Sequence, residues 1–182
     1  MGIDDGKFVF NSKDPVLVVG VVFRGGYWFD GVMSCQVTVD GFDANENIGN
    51  MITKSPHFKQ LRVVMLNGIT FGGFNVVDIK ALNELTGLPV IVVSERKPNL
   101  EKIHLALQHL PGCEERWRAV LKGGEIFPVV PRGLNGRIFV ETAGISKDLA
   151  LEVLKLTSTR SKIPEPLRVA HLIASGISLY RS

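Results

Sequence analysis

Short runs rich in β-branched residues constrain the fold of this chain more than any other sequence feature. The run at 15–24 (PVLVVGVVFR) contains too much Val for a helix, and Gly25-Gly26 after it is a turn signal. The segment at 31–40 (GVMSCQVTVD) alternates well enough for a strand, and residues 3–5 have the pattern of a strand end. Three strands joined by short turns predict an antiparallel meander.

Beyond the meander, buried strands alternate with amphipathic helices. Asp43 or Asn45 can cap a first helix, and buried strands are predicted at 61–66 and 89–93. Between these two strands, a Gly-rich loop at 68–73 precedes a helix that Gly87 ends. We interpret this loop as a close approach of the backbone to a functional site. A strand–helix–strand unit of this kind implies parallel neighbours.

The second half of the chain adds helices and two short strands. The predicted elements are helices near 99–110 and 114–122, strands at 125–131 and 137–142, a helix from Ser146 to about 157 and a last helix from Pro164. The order of all these elements is that of a ribonuclease-H-like α/β fold: a mixed sheet, with a three-strand antiparallel meander plus parallel strands, flanked by helices. Because no linker or repeat interrupts it, we predict one domain over residues 1–182.

The composition, with 45% hydrophobic and 21% charged residues, is typical of a globular protein. No apolar run approaches the roughly 20 residues of a membrane span, and the N-terminus lacks the pattern of a secretion signal. Cys35 and Cys113 lack the spacing of a metal or redox motif, so two packed thiols in a reducing compartment are the simplest interpretation. We therefore expect a cytoplasmic protein with no membrane contact.

The charges are unevenly distributed along the chain, whose net charge is +3. Residues 1–95 contain seven Lys/Arg and ten Asp/Glu, whereas residues 96–182 contain fourteen and eight. Acidic groups gathered early and a basic surface later fit a metal-dependent nuclease, although a random surface fluctuation explains the same numbers.

Three polar positions follow predicted strands and could form a metal site. Asp4-Asp5, Asp40 and Asn67 stand at strand ends that lie side by side in a mixed sheet. Clustered carboxylates repel one another unless a cation intervenes, and clusters of oxygen ligands select Mg²⁺ or Mn²⁺. We expect the side chains of Asp4, Asp40 and Asn67 to converge. The alternative is that Asp-Gly and Asn-Gly pairs are merely turn residues here.

Four longer motifs carry a resemblance to a known family. They are GIDDG (2–6), FDGVMSCQVTVDG (29–41), VVMLNGITFGGFNVVDI (63–79) and IPEPLRVAHLIASG (163–176). Together they resemble the endonuclease V superfamily and, within it, the mostly archaeal endonuclease dU branch. The resemblance implies a ribonuclease-H-like fold and Mg²⁺- or Mn²⁺-dependent cleavage of a nucleic-acid strand, most simply DNA, near a deaminated base such as deoxyuridine or inosine, a repair reaction.

The resemblance assigns the metal-binding and catalytic positions with two departures. The first-strand Asp falls on Asp4 or Asp5, and Asp4 is favoured because a ligand belongs on the strand. The second carboxylate falls on Asp40, with Asp43 in reserve. The third position is Asn67 where the family has Asp, and the resemblance places Ser161 where endonuclease V has His. Both departures put catalytic competence in question, because an amide offers only a neutral oxygen.

Further residues are candidates for nucleic-acid binding. Tyr27, Trp28 and Phe29 stand where endonuclease V carries a strand-separating wedge, although they could also cover a sheet edge. Basic residues at a strand end and beside the Pro-Glu-Pro turn could meet phosphates, or simply be solvated: Arg96, Lys97, Arg160, Lys162 and Arg168. Glu165 has the pattern of a turn and helix-start carboxylate, and His171 that of a packed helix residue.

Two other functions are open at this point. A catalytically weakened nucleic-acid-binding protein of the same fold is favoured by Asn67 and Ser161. An α/β protein that binds a small molecule or nucleotide is the other alternative, and salt-dependent binding to oligonucleotides separates it from the first two.

Overall fold

The structure, a computed structural model, describes residues 1–9, 14–131 and 136–179. Within these ranges the chain forms a seven-stranded mixed sheet, a small hairpin and six α-helices. The sheet strands are β1 Gly2–Asp5, β2 Val16–Arg24, β3 Trp28–Val37, β4 Val64–Asn67, β7 Val90–Ser94, β8 Phe127–Val129 and β9 Ile138–Ala143. The hairpin is β5 Thr70–Phe71 with β6 Asn75–Val76. The helices are α1 Ala44–Thr53, α2 Ile79–Thr86, α3 Leu100–Leu107, α4 Cys113–Lys122, α5 Lys147–Thr157 and α6 Glu165–Leu179.

The strand order of the sheet is β3-β2-β1-β4-β7-β9-β8. The first three strands form the antiparallel meander, β1, β4 and β7 are parallel, and β9 and β8 are antiparallel. This arrangement confirms the fold class that the order of elements predicts. Because β1, β4 and β7 run in one direction, their carboxyl ends lie at the same edge of the sheet, where open α/β sheets bind ligands.

Two apolar layers enclose the sheet. Successive side chains of a strand point to opposite faces, so Leu66 joins the core under α1 and α2 while its neighbour Met65 joins the core that contains Leu167 of α6. On β1, the small residue Gly2 faces α6: a Cβ there would lie 2.3 Å from the carbonyl carbon of Pro166. The approach of α6 to β1 therefore depends on the missing side chain.

The structure confirms the helix caps at Ser146 and Gly87 but not the one at Asp43. Ser146 Oγ accepts a hydrogen bond from the backbone N–H of Leu149, and Gly87 ends α2 in the left-handed conformation at φ 67°, which confirms both predictions. Asp43 precedes α1, but its side chain makes no capping bond, because it is bound elsewhere. No helix in the described parts of the chain has both the length and the apolar composition to cross a membrane.

The third strand ends earlier than the sequence pattern suggests. The structure ends β3 at Val37 rather than at Asp40, and Asp40 lies beyond it in a turn with φ 48°. The backbone N–H of Asp40 donates to Gly72 O at 2.9 Å, and that of Gly41 donates to Thr38 O at 3.0 Å. These bonds fold the chain into a turn, so the prediction that Asp40 closes the strand is wrong.

Candidate active site

Asp4, at the carboxyl end of β1, is the centre of a buried polar cluster. Its side chain is 3% exposed. Asp4 Oδ2 accepts a hydrogen bond from Asn67 Nδ2 at 2.9 Å and lies 2.8 Å from His171 Nδ1, while Oδ1 accepts from the backbone N–H of Asp5 at 3.0 Å. The parallel register of β1 and β4 places Asp4 beside Asn67, and α6 brings His171 to the same point. Two of the three positions expected to converge therefore do so.

Burial shapes the electrostatics at the end of β1. It raises the pKa of Asp4 above its ordinary value, although the hydrogen bonds with Asn67 and His171 act in the opposite direction. Asp5, whose side chain alternates to the other face of β1, accepts a 2.6 Å hydrogen bond from the backbone N–H of Gly72. Burial, together with the neighbouring Asp4 charge, raises the pKa of Asp5 to about 6. The strand end thus holds two carboxyl groups that a nearby cation would help to ionise.

Asp40 does not join this cluster. Its Oδ1 accepts a hydrogen bond from the backbone N–H of Phe74 at 2.7 Å, and the carboxylate lies close against the backbone at Gly73. Among the described residues, no three Asp, Glu, His or Cys side chains converge closely enough to hold a metal ion, so Asp40 does not meet Asp4 and His171. The reason is the early end of β3, after which the turn carries Asp40 onto the loop at 72–74.

Asp43, the reserve candidate, is bound in a separate network. Its carboxylate accepts hydrogen bonds from the backbone and hydroxyl of Thr38 and from the side chains of Asn47 and Asn75. Burial alone would raise the pKa of Asp43, but the bonds from Asn75 and Thr38 outweigh it and hold the pKa below its ordinary value. These contacts indicate a structural role that ties the start of α1 to β3.

The buried guanidinium of Arg116, on α4, fixes the turn that holds Asp40. It is 2% exposed, donates to Gly41 O at 2.8 Å and also to the carbonyl oxygens of Asp40 and Phe74. The Arg116 Cζ lies 3.9 Å from the centroid of the Phe42 ring. The sequence pattern does not single out Arg116, because an Arg within a predicted helix is usually solvated. The close approach predicted for the Gly-rich loop is present here, but against Asp40.

Replacing Arg116 by Met is expected to destabilise the protein by about 3 kcal/mol, because the buried carbonyl groups lose their donors. Urea unfolding measures this change in the free energy of unfolding. The control is Arg118→Met on the same helix, where the guanidinium is exposed and bonds only within α4; its expected change is within about 0.5 kcal/mol. Equal losses of unfolding free energy in the two variants would contradict the role of Arg116 in holding the turn at Asp40.

His171, and not Ser161, is the residue that reaches the cluster. Ser161 Oγ donates to Ile163 O at 3.0 Å and accepts from the N–H of Ile163 at 3.2 Å, so it serves its own turn. The side chain of His171 is 60% exposed, which leaves its outer nitrogen accessible from solvent. The interpretation of His171 as a packed helix residue is wrong. The sequence indicates this contact only indirectly. The small residues Gly2 and Ala170 let α6 lie against the sheet, which brings His171 to Asp4.

Aromatic side chains project at the turn between β2 and β3. Tyr27, Trp28 and Phe29 are 63%, 70% and 52% exposed, so more than half of each ring surface is available for contact. Phe29 packs edge to face on Phe23, with ring centroids 5.8 Å apart. The wedge role stays a prediction, since exposed rings at the edge strand fit either a wedge or a sheet-edge cluster.

The basic residues beside the Pro-Glu-Pro turn divide into two kinds. Arg168 holds the buried Glu165 with two bonds, Nε to Oε1 at 3.0 Å and Nη2 to Oε2 at 2.8 Å, and this pairing raises the pKa of Arg168. Arg160 shares Glu165 Oε2 at 3.4 Å but is 72% exposed. Arg168 therefore fastens the start of α6, whereas Arg160 has donors that face solvent.

The other predicted phosphate contacts lie after β7. Arg96 and Lys97 are exposed just beyond the carboxyl end of that strand. Lys162 lies 3.8 Å from Glu95 in the same region, which links the end of β7 to the turn before α6. The structure thus places these cations at the edge of the sheet that carries Asn67, and their contact with phosphate stays a prediction.

The family of the chain follows from comparison with known proteins. The sequence model of the family described as endonuclease dU matches residues 1–178. The chain belongs to the endonuclease dU family. A UPF0215 protein of Methanothermobacter thermautotrophicus is 51% identical to it over all of this chain and 88% of that protein. The resemblance to the endonuclease dU family that the four motifs carry is therefore confirmed.

Solved structures agree on the fold of this endonuclease dU chain. A protein of unknown function from Archaeoglobus fulgidus superposes with a TM-score of 0.86 at 36% identity, covering 97% of this chain and 95% of that one. Endonuclease V of Ciona intestinalis, solved in complex with a 24mer DNA containing an inosine, gives a TM-score of 0.62 at 17% identity, covering 99% and 84%. At that identity the second likeness establishes the fold.

Proposed function

We propose that this endonuclease dU protein is a metal-dependent endonuclease that cuts a nucleic-acid strand near a deaminated base. The observation that carries the proposal is the buried Asp4, held by Asn67 and His171 at the carboxyl edge of the sheet. The Ciona endonuclease V with the same fold was solved on DNA containing an inosine, which supports nucleic acid as the substrate class. Deoxyuridine and inosine in DNA are the two substrates to be tested first.

The side chains around Asp4 fit one divalent cation. Asp4 offers a carboxylate oxygen, His171 a ring nitrogen, and Asn67 an amide oxygen once the amide is turned over, an orientation that hydrogen bonding decides. Oxygen donors suit Mg²⁺ and Mn²⁺, and the imidazole favours Mn²⁺. A cation bound there would acidify a bound water and stabilise the leaving oxygen of a phosphodiester. We assign the ligands to Asp4, Asn67 and His171, and leave Asp40 to the turn that Arg116 holds.

The protein groups at this site have distinct tasks in the proposed reaction. The bond from the backbone N–H of Asp5 to Asp4 Oδ1 would persist when Asn67 and His171 turn to a cation, and it would hold the Asp4 carboxylate in place. With Nδ1 on the cation, the exposed Nε2–H of His171 would donate a hydrogen bond to a phosphate oxygen. Arg160, Arg96 and Lys97 carry positive charge that would hold the strand by its phosphates.

The test of the proposed function is a cleavage experiment. The protein is incubated with a labelled strand that carries one deoxyuridine or one inosine, with Mn²⁺, with Mg²⁺ or with EDTA, beside the unmodified strand. We expect a product cut near the modified base that requires the metal. Binding without any metal-dependent cut, at high protein concentration, would contradict the proposal and favour the weakened binding protein.

The second candidate function, that of a catalytically weakened nucleic-acid-binding protein, rests on the hydrogen bond between Asn67 and Asp4. Asn67 Nδ2 donates to the Asp4 carboxylate, which satisfies Asp4 without a metal. Such a protein would bind oligonucleotides with an affinity that falls as salt rises, because phosphate contacts release counterions. An affinity independent of salt would contradict both candidates and favour a small-molecule ligand.

Replacing Trp28 by Ala is expected to reduce cleavage of a base-paired substrate about tenfold, because a stacked ring contributes roughly 1–3 kcal/mol. Cleavage of the single strand should fall less, since a wedge is needed only where bases are paired. Initial rates on matched duplex and single-stranded substrates measure this difference. The control is Leu105→Ala, which removes another exposed apolar side chain on α3. Equal losses on both substrates would indicate stacking alone, and no loss would contradict any role in binding.

A further inference from the structure

A cavity of about 190 Å³ lies beyond the carboxyl ends of β4 and β7. Gly68, the residue after Asn67, and Ser94, the last residue of β7, form part of its wall. Phe74 and apolar residues of α3 and α4 also belong to its lining. Gly68 places the cavity one residue from Asn67 but on the opposite face of the sheet, because Asn67 pairs with Val93 whereas the next residue, Ser94, lines the cavity. The cavity offers a small, mostly apolar space with an aromatic ring.

The carboxyl group of Glu141, on β9, lines this cavity without a partner. The residue is 5% exposed, and no hydrogen bond or ion pair joins its side chain to any other residue of the described ranges. Gly123 leaves the room that it occupies, because a Cβ at Gly123 would lie 2.1 Å from Glu141 Oε2. Among the described residues no polar side-chain atom is both fully buried and unbonded, so the Glu141 oxygens open onto the cavity, where a ligand can replace water as their hydrogen-bond partner.

Glu141 is the only ionisable side chain in the lining of the cavity that the structure describes. Burial raises the pKa of Glu141 to about 7. Charged residues on the elements packed around the cavity stay outside its lining: Lys97, Glu101, Lys102, Glu115, Arg116 and Lys122. Near neutral pH the group is thus often a neutral carboxylic acid, which presents one O–H donor beside one C=O acceptor.

We propose that Glu141 binds the hydrogen-bonding edge of a nucleobase, uracil in the first instance, that is turned out of its strand into this cavity. The inference rests on the proposed function and deepens it. The acid O–H would donate to a uracil carbonyl oxygen while the acid C=O accepts from N3–H, which makes two parallel bonds. Enzymes that act on extruded bases commonly combine such edge contacts with stacking on aromatic and apolar side chains, a place that Phe74 can fill.

The protonation of Glu141 gives this inference a specific signature. An ionised carboxylate can only accept, so it would repel the uracil carbonyl oxygen. Binding of the base should therefore weaken as pH rises above about 7. A Gln at this position has a donor and an acceptor side by side at every pH, so it mimics the neutral acid without titrating.

The experiment measures binding by fluorescence anisotropy in EDTA, from pH 6 to pH 8.5. The probes are a single strand with one deoxyuridine and the same strand with an abasic site. For the parent, the preference for deoxyuridine should fall about tenfold across this range, whereas Glu141→Gln should keep its preference throughout. Glu141→Leu should lose about tenfold at pH 6, since two hydrogen bonds disappear. The control is Glu125→Gln, an exposed residue paired with Lys147, which should behave as the parent does.

The results separate this inference from the proposed function. Because the probes are read without metal, a protein that binds but never cuts would leave the inference intact. Cleavage of deoxyuridine strands that is unaltered in Glu141→Gln and Glu141→Leu at every pH, with unaltered binding, would overturn the inference and leave the proposed function standing. A parent that binds the two probes equally at pH 6 would also overturn it.

Thermal melting checks that Glu141→Gln keeps the fold. A carboxyl group whose pKa is raised on folding lowers stability once the pH exceeds its ordinary value, and the full penalty is present above about pH 7. Glu141→Gln removes the penalty, so its Tm should exceed that of the parent at pH 8 and match it at pH 4. If Glu141→Leu fails to fold, the Gln variant alone carries the comparison.

Discussion

Replacing Asp4 by Asn is expected to reduce metal-dependent cleavage by about a thousandfold, since the loss of several kcal/mol of charge stabilisation has that size. The carboxylate of Asp4 contacts both Asn67 and His171. Its amide would offer a cation only a neutral oxygen. Single-turnover rates with saturating Mn²⁺ on a strand that contains the modified base measure the effect.

The matched control for this variant is Asp5→Asn. Asp5 is adjacent in the chain, but it points to the other face of β1 and binds the backbone of Gly72. Its replacement should cost less than tenfold in rate. A large loss for Asp5→Asn beside a small one for Asp4→Asn would reverse the choice between the two residues.

A second comparison guards against loss of fold. Burial disfavours the ionised form of Asp4, so Asp4→Asn should melt at or above the temperature of the parent in EDTA. His171→Ala, which truncates a mostly exposed side chain, should lower cleavage without lowering the melting temperature. Loss of activity in both variants with an intact fold is the combination that the proposed site requires.

The pairing of Asp4 with Asn67 could be predicted from the sequence for a simple reason. Asn67 follows the buried run at 61–66, Asp4 lies in the predicted strand end at 3–5, and parallel strands end at one edge of a sheet. Asp4 is favoured over Asp5 because a metal ligand belongs on the strand, and in the structure it is Asp4 that contacts His171 of α6. Local pattern was sufficient because both strands are short and regular.

The positions of Asp40 and His171 depend on contacts between distant parts of the chain. Asp40 lies where it does because Arg116, far along the chain, binds the carbonyl oxygens of its turn. His171 reaches Asp4 only because α6 packs on β1 over Gly2. The periodicity of a single segment encodes neither contact. The sequence pattern therefore predicts only the commonest roles, a strand end for Asp40 and a packed helix residue for His171.

Glu141 is another residue whose position the sequence pattern does not predict. It occupies a buried position of β9 among mostly apolar residues, and no sequence motif surrounds it. Only the packing of α4, with Gly123 opposite the carboxylate, makes a cavity there. Likewise, the basic residues of the second half are not all free to meet phosphate, since Arg168 and Arg160 both pair with Glu165.

Replacing Asn67 by Asp is expected to raise cleavage about tenfold and to increase the stabilisation gained from metal. The new carboxylate would lie at hydrogen-bond distance from Asp4 Oδ2, where Asn67 Nδ2 now lies 2.9 Å away. Without metal, the two charges repel, so the apo protein should lose stability. With metal, a tenfold tighter site corresponds to about 1.4 kcal/mol, or roughly 3–6 °C more Mn²⁺-induced rise in Tm.

The control for Asn67→Asp is Asn99→Asp, which adds the same charge away from the site. Asn99 caps α3 by accepting from the backbone N–H of Lys102, a task that Asp performs equally well. Its metal-induced shift and its cleavage rate should equal those of the parent. If Asn67→Asp also shows neither a larger shift nor more cleavage, the amide at 67 serves the hydrogen bond to Asp4 and no metal. The cation site would then lie elsewhere at this edge of the sheet, because the affinity of a site for a metal ion depends on the charge of its ligating side chains.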